Sequence, residues 1–343
     1  MKVKLLEACN ISTGKLDSNA AEENGKYPFF TCAPEPMRIN SYAFDEDAIL
    51  LAGNNAQGNF HIQRYNGKFN AYQRTYIITA KEGWDIDFVK YSIEIALSHL
   101  KKISQGSQTK FLTMGMLEDF VLNNYPFEKQ KAIIASLKKI DEKIELNSKI
   151  NDNLAQELCL IYEHIMSQTK KGLILGTHTI ASELSEITTG REDANFADTN
   201  GKYKFFTCSS ETLKCNHYAF NSSSILIAGN GEFNVKHFSG KFNAYQRTYV
   251  LTPKQEHYGL LYLACLYQIK SFKSSSAGSI VKFITKGDID NIPVFIPADG
   301  TYLIQMNKLL DLQEMRLREN EKLLALRDFL LPLLMNGQAT IAE

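Results

Sequence analysis

The side chains with the most chemical potential in this chain occur in two identical nonapeptides. Lys68-Phe69-Asn70-Ala71-Tyr72-Gln73-Arg74-Thr75-Tyr76 returns letter for letter as Lys241-Phe242-Asn243-Ala244-Tyr245-Gln246-Arg247-Thr248-Tyr249. Each copy follows a glycine, Gly67 or Gly240, and gathers amide, guanidinium, ammonium and phenol groups within a few residues. Asn, Gln and Arg form paired hydrogen bonds with purine edges, and Lys and Arg neutralise phosphates. The candidate DNA contacts are therefore Lys68, Asn70, Tyr72, Gln73 and Arg74, with Lys241, Asn243, Tyr245, Gln246 and Arg247 in the second copy. The competing reading is a strand in which Phe, Tyr and Thr pack while Gln and Arg face water.

The duplication extends well beyond the nonapeptide. Gly25-Lys26-Tyr27-Pro28-Phe29-Phe30-Thr31-Cys32 matches Gly201-Lys202-Tyr203-Lys204-Phe205-Phe206-Thr207-Cys208. Tyr42-Ala43-Phe44 matches Tyr218-Ala219-Phe220, and Ile49-Leu50-Leu51-Ala52-Gly53-Asn54 matches Ile225-Leu226-Ile227-Ala228-Gly229-Asn230. The second copy then lacks three residues, about Asn55-Ala56-Gln57, as a surface loop tolerates. A last shared block, Gly106-Ser107-Gln108-Thr109-Lys110-Phe111-Leu112-Thr113, aligns with Gly278-Ser279-Ile280-Val281-Lys282-Phe283-Ile284-Thr285. A Gly-Ser loop leading to a lysine is either a phosphate clamp or a solvated turn, so Lys110 and Lys282 join the candidates.

These segments are rich in Tyr, Phe, Ile, Val and Thr and are separated by Gly and Asn, a pattern of β-strands joined by turns. Asn66-Gly67 carries a hairpin-turn signal. Helical spacing predicts helices near Asp85–Lys102 and Gln255–Lys270. Cys32 and Cys208 are expected to be buried thiols.

After Tyr125-Pro126 the texture changes. Gln130 to Ser167 contains no Pro or Gly, and Ile133, Leu137, Ile140, Ile144, Leu154, Leu158, Ile161 and Ile165 form an apolar seam interrupted by Asn147 and Asn151. That is a heptad pattern, and such a helix would run ~55 Å. A second seam follows Ile296-Pro297, through Met306, Leu310, Leu317, Leu324, Leu331 and Leu334, with Asn320 on it. One long helix cannot bury its apolar seam alone, whereas two in one chain can pair.

The 343 residues suffice for two domains, and 44% hydrophobic content lets each bury a core. A net charge of zero excludes a purely electrostatic nucleic-acid binder but not one with local basic patches. Neither a Walker A motif, a G-x-S-x-G elbow, H-E-x-x-H nor a dinucleotide fingerprint is present. An Asn/Asp-Pro-Pro-Tyr tetrad and a C-x-x-C pair are also lacking. Asp141-Glu142-Lys143 resembles a nuclease D/E-x-K but reads as a solvated helix face. The histidines lack metal-ligand spacing. The expectation is a protein with no catalytic residues, metal or cofactor. It carries no signal peptide or membrane-length apolar run and is expected to be soluble and cytoplasmic.

The twofold plan, the Gly-Ser…Lys-Phe-Leu/Ile-Thr block before a proline, the helix after it and the tail Leu326-Arg327-Asp328-Phe329-Leu330-Leu331-Pro332-Leu333-Leu334-Met335-Asn336-Gly337 together resemble the DNA-specificity subunits of type I restriction–modification systems. The resemblance covers essentially the whole chain. It implies an α+β fold: two similar β-containing target-recognition domains, joined by two long antiparallel coiled-coil helices. The expected division is 1–127 and 171–300 for the domains, with helices at 128–170 and 301–343. The resemblance further implies binding to double-stranded DNA and docking of two methyltransferase (modification) subunits, with restriction subunits reached through them. Base contacts do not transfer by motif, because recognition domains diverge in this family. Two rival readings are a coiled-coil adaptor that binds no DNA and a fused methyltransferase or nuclease. Because the two halves are so alike, the expected target is an interrupted, largely palindromic site.

Overall fold

The structure is a computed structural model and describes residues 2–55, 58, 60–104, 110–275 and 283–339. The chain divides into two compact units, Met1–Ile144 with Glu321–Glu343, and Glu145–Asn320.

The first unit contains β1 (Lys2–Lys4), α1 (Leu5–Ala8), β2 (Cys9–Thr13), β3 (Tyr27–Phe30), β4 (Met37–Ile39), β5 (Phe44–Ala52) and β6 (Asn54–Asn55). It continues with β7 (Ile62–Ala71), β8 (Thr75–Ala80), α2 (Ile86–Ile103), β9 (Lys110–Phe111), α3 (Met114–Glu118) and β10 (Val121–Asn123). Then α4 (Phe127–Lys170) carries the chain into the second unit. There β11 (Gly176–Ile180), α5 (Ala181–Leu184), β12 (Ser185–Thr189), β13 (Tyr203–Phe206), β14 (Thr212–Cys215) and β15 (Phe220–Ala228) follow. The second unit closes with β16 (Val235–Ala244), β17 (Thr248–Pro253), α6 (Tyr258–Ser275), α7 (Lys286–Asp290) and β18 (Pro293–Pro297), and α8 (Thr301–Met335) returns to the first.

The main sheets share one topology, β2-β8-β5-β7-β3-β4 and β12-β17-β15-β16-β13-β14. All neighbours are antiparallel except β3·β7 and β13·β16. Both sheets must curl. Phe69 pairs with Phe44 at the start of β5, whereas Thr75 pairs with Ala52 at its end. A straight β5 would hold Ala71 and Thr75 roughly 30 Å apart. Four residues of chain span at most about 14 Å. Gly67 (φ +128°) and Gly240 (φ +134°) lie within β7 and β16 and supply a backbone conformation that side chains disfavour. This corrects the expected Asn66-Gly67 hairpin turn. Ile62 through Phe69 all pair with the single strand β5, so the glycine bends a continuous strand instead of reversing it.

The curl encloses an aromatic cluster. Phe69 stacks on Phe44 (5.2 Å between centroids) and meets Phe30 edge-on, and Phe242 does the same with Phe220 (5.0 Å) and Phe206. The other face of each sheet packs on its helix, through Ile49, Ile78, Val89 and Ile93 in one unit and Ile225, Leu251, Leu261 and Cys265 in the other. Asp85 caps α2, accepting from the backbone N–H groups of Asp87 and Phe88. In the second unit the helix starts at Tyr258, after a 3-10 turn over Gln255–His257.

The two long helices pair antiparallel within each unit. In the first, Ile133, Ile134 and Leu137 of α4 pack on Leu331, Leu334 and Met335 of α8, and on Phe88 and Tyr91 of α2. In the second, the Asn147 amide donates to Asn320 Oδ1 and Glu319 Oε2, both at 2.9 Å, and Gln313 donates to the Asn151 carbonyl. Asp141 is not on a solvated face as expected. It accepts from the Tyr91 hydroxyl and from Arg327 Nη1 (3.2 Å), because α2 and α8 both cover this turn of α4.

Candidate nucleic-acid interface

The nonapeptide is neither all strand nor all contact surface. Phe69 and Ala71 enter the aromatic cluster, and Thr75 and Tyr76 are buried at the start of β8. Between the strands, Tyr72-Gln73-Arg74-Thr75 forms a tight turn closed by Thr75 N–H donating to the Tyr72 carbonyl at 2.8 Å. The same bond closes Tyr245-Gln246-Arg247-Thr248, also at 2.8 Å. Gln73, Arg74, Gln246 and Arg247 are exposed at the two apices.

Neighbouring backbone clamps each apex at almost every step. Tyr72 N–H donates to the Phe30 carbonyl, Gln73 N–H to the Leu16 carbonyl, and the Arg74 carbonyl accepts from Gly53 N–H (2.9, 2.9 and 2.8 Å). The second copy repeats these bonds with Phe206, Glu192 and Gly229, each at 2.9 Å. A Cβ on Gly53 would lie 2.3 Å from the Arg74 carbonyl oxygen, and one on Gly14 would lie 2.0 Å from that of Ala71. Gly229 and Gly190 meet the same obstacles at 2.7 and 2.0 Å. The shared glycines therefore let three backbone segments converge beneath each turn.

Cys32 and Cys208 also belong to the clamp, which corrects their expected burial. Both are half-exposed, and their thiols donate to the carbonyls of Arg74 (3.5 Å) and Arg247 (3.3 Å). Burial raises the pKa of Cys32, so the thiol stays a donor.

The last shared block attaches to the same place. The Tyr76 hydroxyl donates to the Leu112 carbonyl at 3.0 Å, and Leu112 N–H donates to the Gly53 carbonyl. Tyr249, Ile284 and Gly229 repeat this arrangement, with the hydroxyl bond at 2.9 Å. Burial raises the pKa of both phenols, keeping them protonated donors. The result is a cleft of about 390 Å³ lined by Thr13, Gly53, Gln73, Arg74, Tyr76, Phe111 and Leu112. Its counterpart, about 370 Å³, is lined by Thr189, Gly229, Asn230, Gln246, Arg247, Tyr249, Phe283 and Ile284.

The remaining candidates divide clearly. Lys68 and Lys241 are exposed, and Tyr72 and Tyr245 are half-buried beside the apex. Asn70 and Asn243 are buried, and each side-chain oxygen accepts from the next residue's N–H, at 3.0 and 2.9 Å. Lys110 is half-buried in β9, opposite Asn55. Lys282 and both Gly-Ser loops (106–109 and 278–281) lie outside the described residues, as do Ala56 and Gln57. Sequence reading missed Thr13, Gly53, Thr189 and Gly229 as parts of the site. The repeated Ala-Gly-Asn step was the available signal for the glycines. Among the described residues no group of His, Cys, Asp or Glu could hold a metal, and no helix is long and apolar enough to cross a membrane.

Two matched clefts on two curled sheets, with a long helix after each, define a duplicated recognition protein. A family model described as the type I restriction modification DNA specificity domain matches residues 1–156 and again 181–309, and the chain belongs to that family. Over 165 residues it is 38% identical to the type I restriction enzyme EcoDI specificity subunit of Escherichia coli, a match covering 46% of this chain and 37% of that protein. The crystal structure of the type I restriction–modification S subunit from M. genitalium has the same fold. Its TM-score is 0.63 at 17% identity, over 100% of this chain and 96% of that one.

Proposed function

We propose that this chain is the non-catalytic, sequence-reading subunit of a type I restriction–modification complex. In this reading each unit binds one half of a bipartite, near-palindromic site in double-stranded DNA. The observation that carries it is the pair of backbone-clamped turns, which hold Gln73-Arg74 and Gln246-Arg247 exposed in the same setting twice. A guanidinium and an amide on a fixed turn suit base-edge recognition, because little side-chain positioning is left to binding. Arg74, Gln73, Arg247 and Gln246 are the leading base contacts. Lys68, Lys241, Lys110 and Lys282 are assigned to phosphates, Tyr72 and Tyr245 to the edge of the interface. Asn70 and Asn243 would act by holding strand and turn in place.

The domains would span 1–127 and 171–300, with 128–170 and 301–343 as spacer and docking helices. Leu160 (64% exposed), Ile304 (70%) and Phe329 (65%) on α4 and α8 are apolar side chains left open for two methyltransferase subunits, which would recruit restriction subunits. Such a complex works in the cytoplasm.

The test is DNA retention by the chain with its methyltransferase, measured across salt concentrations on duplexes with and without the mapped methylation motif. Preference for the motif supports the reading; equal, weak retention at all salts favours an adaptor. Binding of S-adenosylmethionine by the isolated chain would favour an enzyme.

A further inference from the structure

A second duplicated surface borders the strand that leads into each turn, and no base-reading role accounts for it. In the first unit the rings of Tyr27 and Tyr42 meet at 5.1 Å between centroids, and Lys68 Nζ lies 4.6 Å from the Tyr42 ring centroid. In the second, Tyr203 and Tyr218 meet at 5.0 Å, and Lys241 Nζ lies 4.8 Å from the Tyr218 ring. Tyr42 and Tyr218 are 46% and 44% exposed. An exposed tyrosine pair beneath a lysine is not needed for the core, yet the geometry recurs while surrounding residues change. Pro28 and Lys204, Met37 and Leu213, and Arg38 and Lys214 are such changed pairs.

Position along the strand gives the patch its meaning. Side chains alternate, so Lys68 and Asn70 lie on one face of β7 while Phe69 and Ala71 enter the core, and Tyr72 follows directly as the first residue of the turn. Lys68 is thus roughly 13 Å from the residue that opens the turn, about four base-pair steps along a duplex at 3.4 Å each. We propose that Tyr27, Tyr42 and Lys68, with Tyr203, Tyr218 and Lys241, are sequence-independent anchors for the DNA sugar-phosphate backbone. This rests on the DNA-reading function proposed above. The ring fixes the ammonium, and the hydroxyls add neutral donors toward phosphate oxygen. The Tyr42 hydroxyl raises the pKa of Lys68.

The two anchors differ in strength. Lys68 pairs across the ladder with Asp45, beside Glu46 and Asp47, and Asp47 meets Arg64. Lys241 pairs with Asn221, beside Ser222 and Ser223. Carboxylates beside the first anchor weaken its attraction for phosphate, so the second should hold DNA more tightly.

The experiment uses the full chain with its methyltransferase and two duplexes, one carrying the mapped methylation motif and one with that motif scrambled. Affinity is followed across a salt series. Tyr42→Phe with Tyr218→Phe, which keeps the rings and the fold, should weaken both duplexes about equally, by up to ~10-fold. Lys68→Gln and Lys241→Gln should each make the salt slope shallower by about one, with the larger affinity loss for Lys241→Gln. The methylated motif should not change. Unaltered affinity for both duplexes, or a changed motif, would overturn the anchor assignment while leaving the base-reading turns intact. If the wild-type complex retains neither duplex, the DNA-reading function falls, and the anchors with it.

Discussion

The Arg74 carbonyl accepts the Gly53 backbone N–H at 2.8 Å, and there is no room at Gly53 for a side chain between them. Arg74 is thus held from behind by the end of the central strand of its sheet, and its guanidinium projects from a fixed origin. Gly53→Ala and Gly229→Ala should both push the turn off its clamp. Overpacking of this kind costs about 1–3 kcal/mol. The expected result is a folded protein with a lower melting temperature and relaxed discrimination in one half-site, measured by denaturation and by methylation mapping.

Removing the guanidinium itself should act more selectively. Arg74→Ala should cost roughly 1–3 kcal/mol of binding to the cognate duplex and relax one base position. Arg247→Ala should relax the matching position in the other half-site. Arg74→Lys should recover little, because a lysine cannot form the paired hydrogen bonds. If neither alanine variant alters affinity or methylation pattern, the turns serve structure alone.

The strands, the long helices and their asparagine seam were legible because repetition and periodicity act over many residues. The turn was not legible. It contains no Gly, Pro, Asn or Asp, and among the described residues every non-glycine has negative φ, as a type I turn allows. Its conformation comes from Leu16, Phe30 and Gly53, which are far away in sequence. Asn66-Gly67 misled for the complementary reason: a strong local turn signal was overridden by a long strand ladder, and the glycine became a bend. Met37-Arg38-Ile39 and Leu213-Lys214-Cys215, where the two copies differ in sequence, form the edge strands β4 and β14.

The asparagine layer of the helix pair should trade stability for register. Asn147 is fully buried, and its Oδ1 finds no hydrogen-bond partner among the described residues. Asn320→Leu alone should destabilise by about 1–3 kcal/mol, because it removes an acceptor from a buried amide. Asn147→Leu with Asn320→Leu should recover most of that loss, or exceed wild type. A double-mutant cycle by thermal denaturation measures the coupling, and strictly additive effects would refute it.

Arg64 and His237 occupy equivalent positions with opposite chemistry. Arg64 Nε lies 3.2 Å from Asp87, whereas His237 is half-buried with its ring against Tyr258 and Tyr262, and its loss of solvent pushes its pKa down to about 4. The folded histidine stays neutral while the unfolded chain takes up a proton below about pH 6.5. Stability of the second unit should therefore fall as pH drops from 6.5 toward 4, by as much as ~3 kcal/mol. His237→Phe should flatten that part of the stability–pH profile. An unchanged profile would place the acid sensitivity elsewhere.

The most direct measurement is single-molecule mapping of methylated bases in cells expressing this chain with its methyltransferase. Arg74 and Arg247, Gln73 and Gln246, and Thr13 and Thr189 occupy the same places in the two clefts. Like side chains on like scaffolds read like base edges. The expected motif is an interrupted, largely inverted repeat with a non-contacted spacer, allowing one or two mismatched positions. Two half-sites without inverted similarity would contradict this and would assign base reading to the residues in which the two units differ.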